Sequence, residues 1–138
     1  MSYLLDTCAI SELAAPKPNP GFVAWLDDQP DEALFLSVLT VGELIRGVEL
    51  LGPGPKRRNL ERWLAELRTS YRDRLLPVDE AVAALWGIYS ARAKESGNAL
   101  HAVDGLLAAT AVRSALSVVT RNTRDFRSVG VTVIDPWT

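Results

Sequence analysis

Five short apolar runs, each followed by a polar residue and separated from the next by helical or loop sequence, restrict the fold of this chain more than any other feature. Tyr3-Leu4-Leu5 closes on Asp6 and Leu34-Phe35-Leu36 on Ser37. Leu75-Leu76-Pro77-Val78 closes on Asp79, Ser117-Val118-Val119 on Thr120, and Val131-Thr132-Val133-Ile134 on Asp135. Such runs read as buried strands, and Pro77 marks the third as an edge strand because proline cannot donate to a ladder. Three helix patterns lie between them. Thr40 to Leu51 carries Val41, Leu44, Ile45 and Val48 at helical spacing. Pro55 suits a first helical turn, followed by the stripe Leu60, Trp63, Leu64 and Leu67. Asp79 suits the N-cap of a helix carrying Val82, Leu85, Trp86 and Tyr89, with Gly97 at its end. A fourth stretch, Val103 to Ala115, is alanine-rich and apolar on most faces, so a buried helix is expected there. Strand alternating with helix predicts a parallel sheet covered by helices on both faces, an α/β fold of three layers. Ligands of such sheets bind beyond the carboxyl ends of the strands.

A length of 138 residues predicts one domain over 1–138 with a substantial core. Pro16 to Gly21, with three prolines, and Gly52-Pro53-Gly54-Pro55 read as loops, each too short to separate one domain from another. The net charge of -2 excludes a generally basic, nucleic-acid-coating protein, though not a local basic patch. One cysteine allows no internal disulfide, and Cys8 with His101 makes a poor zinc set, so a reduced, cytoplasmic setting is expected. No leader pattern stands at Met1 to Asp6, and no apolar run approaches the ~20 residues of a membrane span.

Four acids stand where the strand-end rule points or on the helices leading away. Asp6 ends the first strand, Glu43 lies in the helix after the second, Asp104 opens the alanine-rich helix, and Asp125 follows the strand ending at Thr120. Each has a purely structural alternative. Asp6 could cap the next turn. Thr40-Val41-Gly42-Glu43 fits a capping box, the better reading of Glu43 taken alone. Asp104 is favourable at a helix N-terminus, although its apolar neighbours Val103, Leu106 and Leu107 demand a partner for it. Asp125 could shape a polar turn with Thr120 and Asn122. Together, carboxylates brought within a few ångströms repel one another unless a cation sits among them. An all-oxygen donor set favours Mg²⁺ or Mn²⁺ over Zn²⁺.

Four strings carry a resemblance: Leu4-Leu5-Asp6-Thr7, Ser37-Val38-Leu39-Thr40-Val41-Gly42-Glu43-Leu44, Val103-Asp104-Gly105-Leu106-Leu107-Ala108-Ala109-Thr110-Ala111, and Thr120-Arg121-Asn122-Thr123-Arg124-Asp125-Phe126. In this order and rough spacing they resemble the PIN-domain family, most of all its VapC/FitB-like toxin branch, and the ending Val133-Ile134-Asp135-Pro136-Trp137 resembles the way that branch closes. The resemblance implies a PIN-like α/β/α domain with a central, mainly parallel sheet. It also implies a metal-dependent ribonuclease, the toxin of a toxin–antitoxin module, using Mg²⁺ or Mn²⁺. Asp6, Glu43, Asp104 and Asp125 fall on the family's acidic positions. Asp6 and Asp104 would hold the ion directly, Asp125 directly or through water, and Glu43 from behind or on a second ion. Thr7, Thr120 and Asn122 would support them. The implied partners are an RNA substrate, a small cognate antitoxin, a second copy of the chain and, with the antitoxin, operator DNA.

Two positions depart from the family's habit: Cys8 follows Asp6-Thr7 where asparagine is common, and Gly105 follows Asp104 where alanine is common. Cys8 is expected to be a small buried residue rather than a nucleophile. Arg46, Arg121 and Arg124 flank the acids in sequence and are candidate RNA phosphate contacts, with ordinary surface roles as the alternative. Lys56-Arg57-Arg58 reads as a plain solvated run, with an RNA or protein role as the alternative because basic charge is unfavourable at a helix N-terminus; His101 reads as a surface or packed residue, with an approach to RNA as the alternative; Trp63 and Trp86 read as core or interface. The rival from another class is a PIN-fold regulatory module that works by binding antitoxin and operator DNA, with weak or no cleavage. A dehalogenase-type phosphatase is disfavoured because Asp-x-Asp would need an acid where Cys8 stands.

Overall fold

Backbone pairing joins all five strands into one sheet of order β3-β2-β1-β4-β5, with each pair parallel. The computed structural model describes residues 1–138. The strands are β1 (Tyr3–Leu5), β2 (Leu34–Ser37), β3 (Leu75–Leu76), β4 (Ser117–Val119) and β5 (Val133–Ile134). The helices are α1 (Thr7–Leu13), α2 (Pro20–Asp27), α3 (Val38–Glu49), α4 (Pro55–Ser70), α5 (Glu80–Glu95), α6 (Ala102–Arg113) and α7 (Thr123–Arg127). The register sets Tyr3 opposite both Leu34 and Ser117.

The period of two in β1 sorts the core. Tyr3 and Leu5 join Ile10, Phe22, Leu34, Leu36, Leu64 and Leu67 on one face, while Leu4 joins Leu107, Ala108, Val118 and Phe126 on the other. Both faces are thus covered, which accounts for strands that read as unbroken apolar runs. Truncating the fully buried Leu4 to alanine would cost about 2–5 kcal/mol. The alanine-rich helix is buried as expected, with Leu107 to Ala111 all buried. No helix is long and apolar enough to cross a membrane.

Several local expectations need correction. β3 stops at Leu76, because Pro77 has no N–H to continue the ladder. α3 begins at Val38, not Thr40: Ser37 ends β2 and caps the helix, its hydroxyl accepting the Leu39 N–H at 3.0 Å. Thr40 is therefore inside the helix and fully buried, and Glu43 has no capping-box role. The proline-rich stretch is a loop only as far as Asn19. The Asn19 side chain accepts the Phe22 N–H at 3.0 Å, and Pro20 opens α2. A Cβ on Gly21 would press on the Thr138 side chain and stand 3.0 Å from the Pro136 carbonyl, so glycine here lets the C-terminal segment lie close against α2.

Candidate active site

Chain order along the sheet runs outward from β1 through β2 to β3, then resumes at β4 on the opposite side. The reversal falls between β1 and β4, where neighbouring connections leave in opposite directions and open a crevice at the carboxyl ends. Asp6 closes β1, its N–H donating to the Val119 carbonyl at 3.1 Å, and Thr120 closes β4. A pocket of about 530 Å³ opens there. It is lined by Asp6, Thr7 and Cys8 from the β1–α1 junction, Ser11 and Glu12 from α1, Glu43 from α3, Asp104 and Leu107 from α6, and Asn122 after β4.

Three of the four sequence-derived acids, Asp6, Glu43 and Asp104, meet in this pocket from three separate elements. Asp125 does not line it. It lies in the first turn of α7 rather than in a loop, and borders a neighbouring hollow with Arg124. Its link to the pocket is Asn122, whose amide donates to Asp125 Oδ2 at 2.9 Å. Asn122 is held in turn by its backbone N–H, which donates to Thr120 Oγ1 at 2.9 Å. Thr120, Asn122 and Asp125 thus form one connected support.

Burial and hydrogen bonding divide the acids. Asp6 is 5% exposed, and its Oδ1 accepts the Ala9 N–H at 2.9 Å, capping α1. Its capping and pocket-lining roles coexist. Burial pushes the Asp6 pKa up, against the hydrogen bonds of Thr120, Cys8 and Ala9, and the Glu43 charge raises it further. Glu43 is exposed and accepts from the Thr7 hydroxyl, which also reaches Thr40 Oγ1 at 3.3 Å. Asp104 is half-buried, and its pKa is raised by burial first. The charges of Asp125, Asp6 and Glu43 add to that rise, and nearby His101, itself exposed, opposes it.

Cys8 is exposed on the pocket wall rather than buried, as the residue's place at the start of α1 dictates. Its thiol donates to Asp6 Oδ1 at 3.1 Å. Loss of water around the sulfur and the adjoining Asp6 charge push its pKa up to about 11, so it is a thiol donor and not a thiolate nucleophile. Sequence reasoning missed Ser11 and Glu12. With Cys8 and Ala15 they form the 8, 11, 12, 15 stripe that faces the pocket, a helical spacing visible in the sequence once α1 is recognised. Glu12 accepts from the Trp137 indole at 3.0 Å and from the Asn19 N–H at 3.0 Å, and these bonds lower its pKa. The arginines are dispersed. Arg121 lies 5.9 Å above the Trp137 ring, Arg124 borders the Asp125 hollow, and Arg46 is exposed on α3 without an ion-pair partner.

The donor chemistry of the pocket fits a hard divalent cation: carboxylate oxygens, with carboxyls driven toward protonation by burial and mutual repulsion. No three His, Cys, Asp or Glu side chains stand close enough to hold an ion by themselves.

A parallel α/β domain with acidic side chains gathered at its topological switch point is the class that fold and site define. The chain belongs to the PIN domain family, whose model matches residues 3–131. It is 44% identical over 135 residues to Toxin FitB of Neisseria gonorrhoeae, covering 97% of each chain. It is 38% identical over 136 residues to the VapC ribonuclease Y4jK of Sinorhizobium fredii, covering 97% of this chain and 96% of that one. Among solved structures it superposes on FitAB bound to an IR36 DNA fragment with a TM-score of 0.93, at 40% identity over 99% of this chain and 96% of that one. The family resemblance and the three-layer fold expected from the sequence are thereby borne out.

Proposed function

We propose that this chain is the toxin of a toxin–antitoxin pair and hydrolyses RNA phosphodiester bonds in a Mg²⁺- or Mn²⁺-dependent reaction. The observation that carries the reading is the meeting of Asp6, Glu43 and Asp104, from three distant stretches of sequence, in one open pocket. Likeness to a FitB toxin and a VapC ribonuclease over nearly the whole chain supports it. The FitAB–DNA structure supports a cognate antitoxin and operator DNA as partners. A homodimer and a cytoplasmic setting belong to the same proposal.

Asp6 and Asp104 would hold the cation, with Glu43 fixed behind them by Thr7 and Asp125 acting through Asn122. When bound, the ion supplies charge relief at the phosphate and activation of the attacking water. The chain's own contribution is placement. The α1 cap fixes the Asp6 carboxylate, with Oδ1 engaged by the Ala9 N–H at 2.9 Å and Oδ2 3.3 Å from the Cys8 thiol. In-line attack by water leaves a 5′-phosphate and a 3′-hydroxyl, the outcome expected of a site with no paired histidines.

The test is cleavage of structured RNAs by antitoxin-free protein in Mg²⁺ or Mn²⁺, with and without EDTA, beside Asp6→Asn and Asp104→Asn. Cleavage that stops with chelator and falls at least about 100-fold in both variants agrees with the proposal. A 2′,3′-cyclic phosphate product, or cleavage indifferent to EDTA, overturns it. Protein that cuts no RNA yet represses its own promoter with a partner is the regulatory binding module instead.

A further inference from the structure

The first turn of α6 carries Asp104 to the pocket without a cap: His101 stands at the N-cap position and its side chain makes no capping hydrogen bond. The other acids are each held by a donor. Asp6 is held by the Ala9 N–H, Glu43 by the Thr7 hydroxyl and Asp125 by the Asn122 amide. Asp104 has neither a side-chain hydrogen bond nor an ion pair. The direction of its carboxyl therefore follows from how the first turn of α6 is seated.

That seat is made by α5. α5 is firmly started, because the Asp79 side chain accepts the Val82 N–H at 2.9 Å. Seven residues on from this cap, Trp86 is half-buried against α6. The residue after Asp104, Gly105, is buried. A Cβ built on it would stand 2.9 Å from Trp86 Cδ1, 3.2 Å from Trp86 Nε1 and 3.2 Å from Leu100 Cδ2. The pyrrole edge of the indole thus fills the place of a side chain at position 105. Glycine weakens a helix interior, and here its bareness is what admits the ring. An indole turns about only two side-chain bonds, so it is a stiff stop and not a compliant filler.

We propose that Trp86 is a positioning residue for Asp104: its pyrrole edge, resting in the gap left by Gly105, fixes the seating of the first turn of α6 and with it the direction of the Asp104 carboxyl. The inference rests on the nuclease reading and extends it from the acids to the residue pair that aims one of them. A stop made by packing has an advantage over a hydrogen bond at this place, because it sets geometry without a donor that would compete with a cation for the carboxylate. The tolerance is narrow. Bringing a Cβ at position 105 from 2.9 to 3.4 Å from the ring parts the indole and α6 by about 0.5 Å, the scale on which metal and catalytic constellations lose their productive geometry.

The test uses the full chain free of antitoxin. Mn²⁺ affinity is read from the EPR signal of the free ion, RNA cleavage is followed in Mn²⁺, and melting in EDTA checks folding. Gly105→Ala crowds the contact, Trp86→Phe withdraws the pyrrole edge, and the double variant sets the added methyl where that edge was. The expected result is a Mn²⁺ Kd raised about 5- to 10-fold and a kcat lowered about 10-fold in each single variant, with KM for RNA changed little and both values back within about 2-fold of wild type in the double variant. Leu67→Ala, a truncation at a buried position of α4, should lower Tm and leave the Mn²⁺ Kd unchanged. Single variants with wild-type Kd and kcat overturn the inference. So does a double variant weaker than either single one, which is the sum of two injuries and not the repair of one contact. A Kd raised as much in Leu67→Ala also overturns it, by reducing the effect to stability at large. If wild type binds Mn²⁺ and cuts no RNA, the nuclease reading falls, and the same pattern of Mn²⁺ affinities upholds the inference. If wild type binds no Mn²⁺, both fall.

Discussion

The carboxylate of Asp6 accepts the backbone N–H of Ala9 at 2.9 Å, so the acid that ends β1 is also the N-cap of α1. Asparagine caps as well as aspartate, whereas alanine does not cap. Asp6→Asn is expected to fold with near wild-type stability while RNA cleavage drops at least about 100-fold. Asp6→Ala is expected to lose the cleavage and, in addition, about 1 kcal/mol of stability in urea denaturation. Equal stability of the two variants would show that the cap contributes nothing.

Asp104 faces the opposite balance. It makes no side-chain hydrogen bond to offset its burial, and three other acids raise its pKa above the ordinary 3.8. The folded chain therefore holds this proton more tightly than the unfolded chain does. Its contribution to stability is greatest below about pH 3.8, declines as pH rises through the folded-state pKa, and is least at neutral pH. Asp104→Asn removes the penalty and should raise Tm at pH 7 in EDTA by about 2 °C, with the gain vanishing toward pH 3.5. Added Mg²⁺ should raise the Tm of wild type and not of the variant. A lower Tm for the variant in EDTA would mean that the charge is satisfied by something other than an ion.

These two residues show what a sequence of this kind discloses. Asp6 and Asp104 stand out because each follows or opens an element whose apolar pattern is unambiguous; the place of Asp6 at the end of β1 follows from topology, whereas Asp104 opens α6, which follows α5 rather than a strand. Glu43 is equally visible, but its partner is not. The capping-box pattern pairs it with Thr40, whereas the helix cap lies earlier, at Ser37, and Glu43 accepts from Thr7, 36 residues away. Local spacing cannot register a contact that only the packing of α1 on α3 creates. α1 and α2 are obscured for a related reason. They are short, and Pro16, Pro18 and Pro20 dominate the pattern, although Pro20 serves as a helix start. Cys8 misleads because cysteine usually lies inside, whereas here the cap at Asp6 fixes the rotation of α1 and turns residue 8 to the pocket.

Asn122 joins the Asp125 carboxylate to the pocket wall at 2.9 Å and is itself anchored on Thr120. Asn122→Ala should leave the buried core untouched, because the side chain is exposed, and should shift Tm by less than about 2 °C. RNA cleavage should fall about 10-fold, short of the loss in Asp6→Asn, because Asp125 remains present but loses its orientation. Cleavage at the wild-type rate would confine Asp125 to its own hollow with Arg124.

Trp137 ties the C-terminal segment to the pocket by two separable contacts. Its ring stacks on Phe22 with centroids 4.6 Å apart, and its N–H donates to Glu12, one of the pocket residues. Trp137→Phe keeps a ring on Phe22 but loses the donor and part of the indole's packing surface, so a smaller loss of stability than in Trp137→Ala is expected. Trp137→Ala removes both and also the face over which Arg121 lies at 5.9 Å, with an expected loss of about 2–3 kcal/mol because the ring is only half-buried. Urea denaturation separates the two variants. The phenylalanine variant also isolates Glu12, whose pKa is held down first by the indole N–H. Without that donor, Glu12 should titrate nearer the ordinary 4.5, an upward shift that carbon-detected NMR of the side-chain carboxyl reads directly. An unchanged titration would assign the lowering to the Asn19 backbone N–H and the Arg121 charge instead, and would leave Trp137 with a packing role alone.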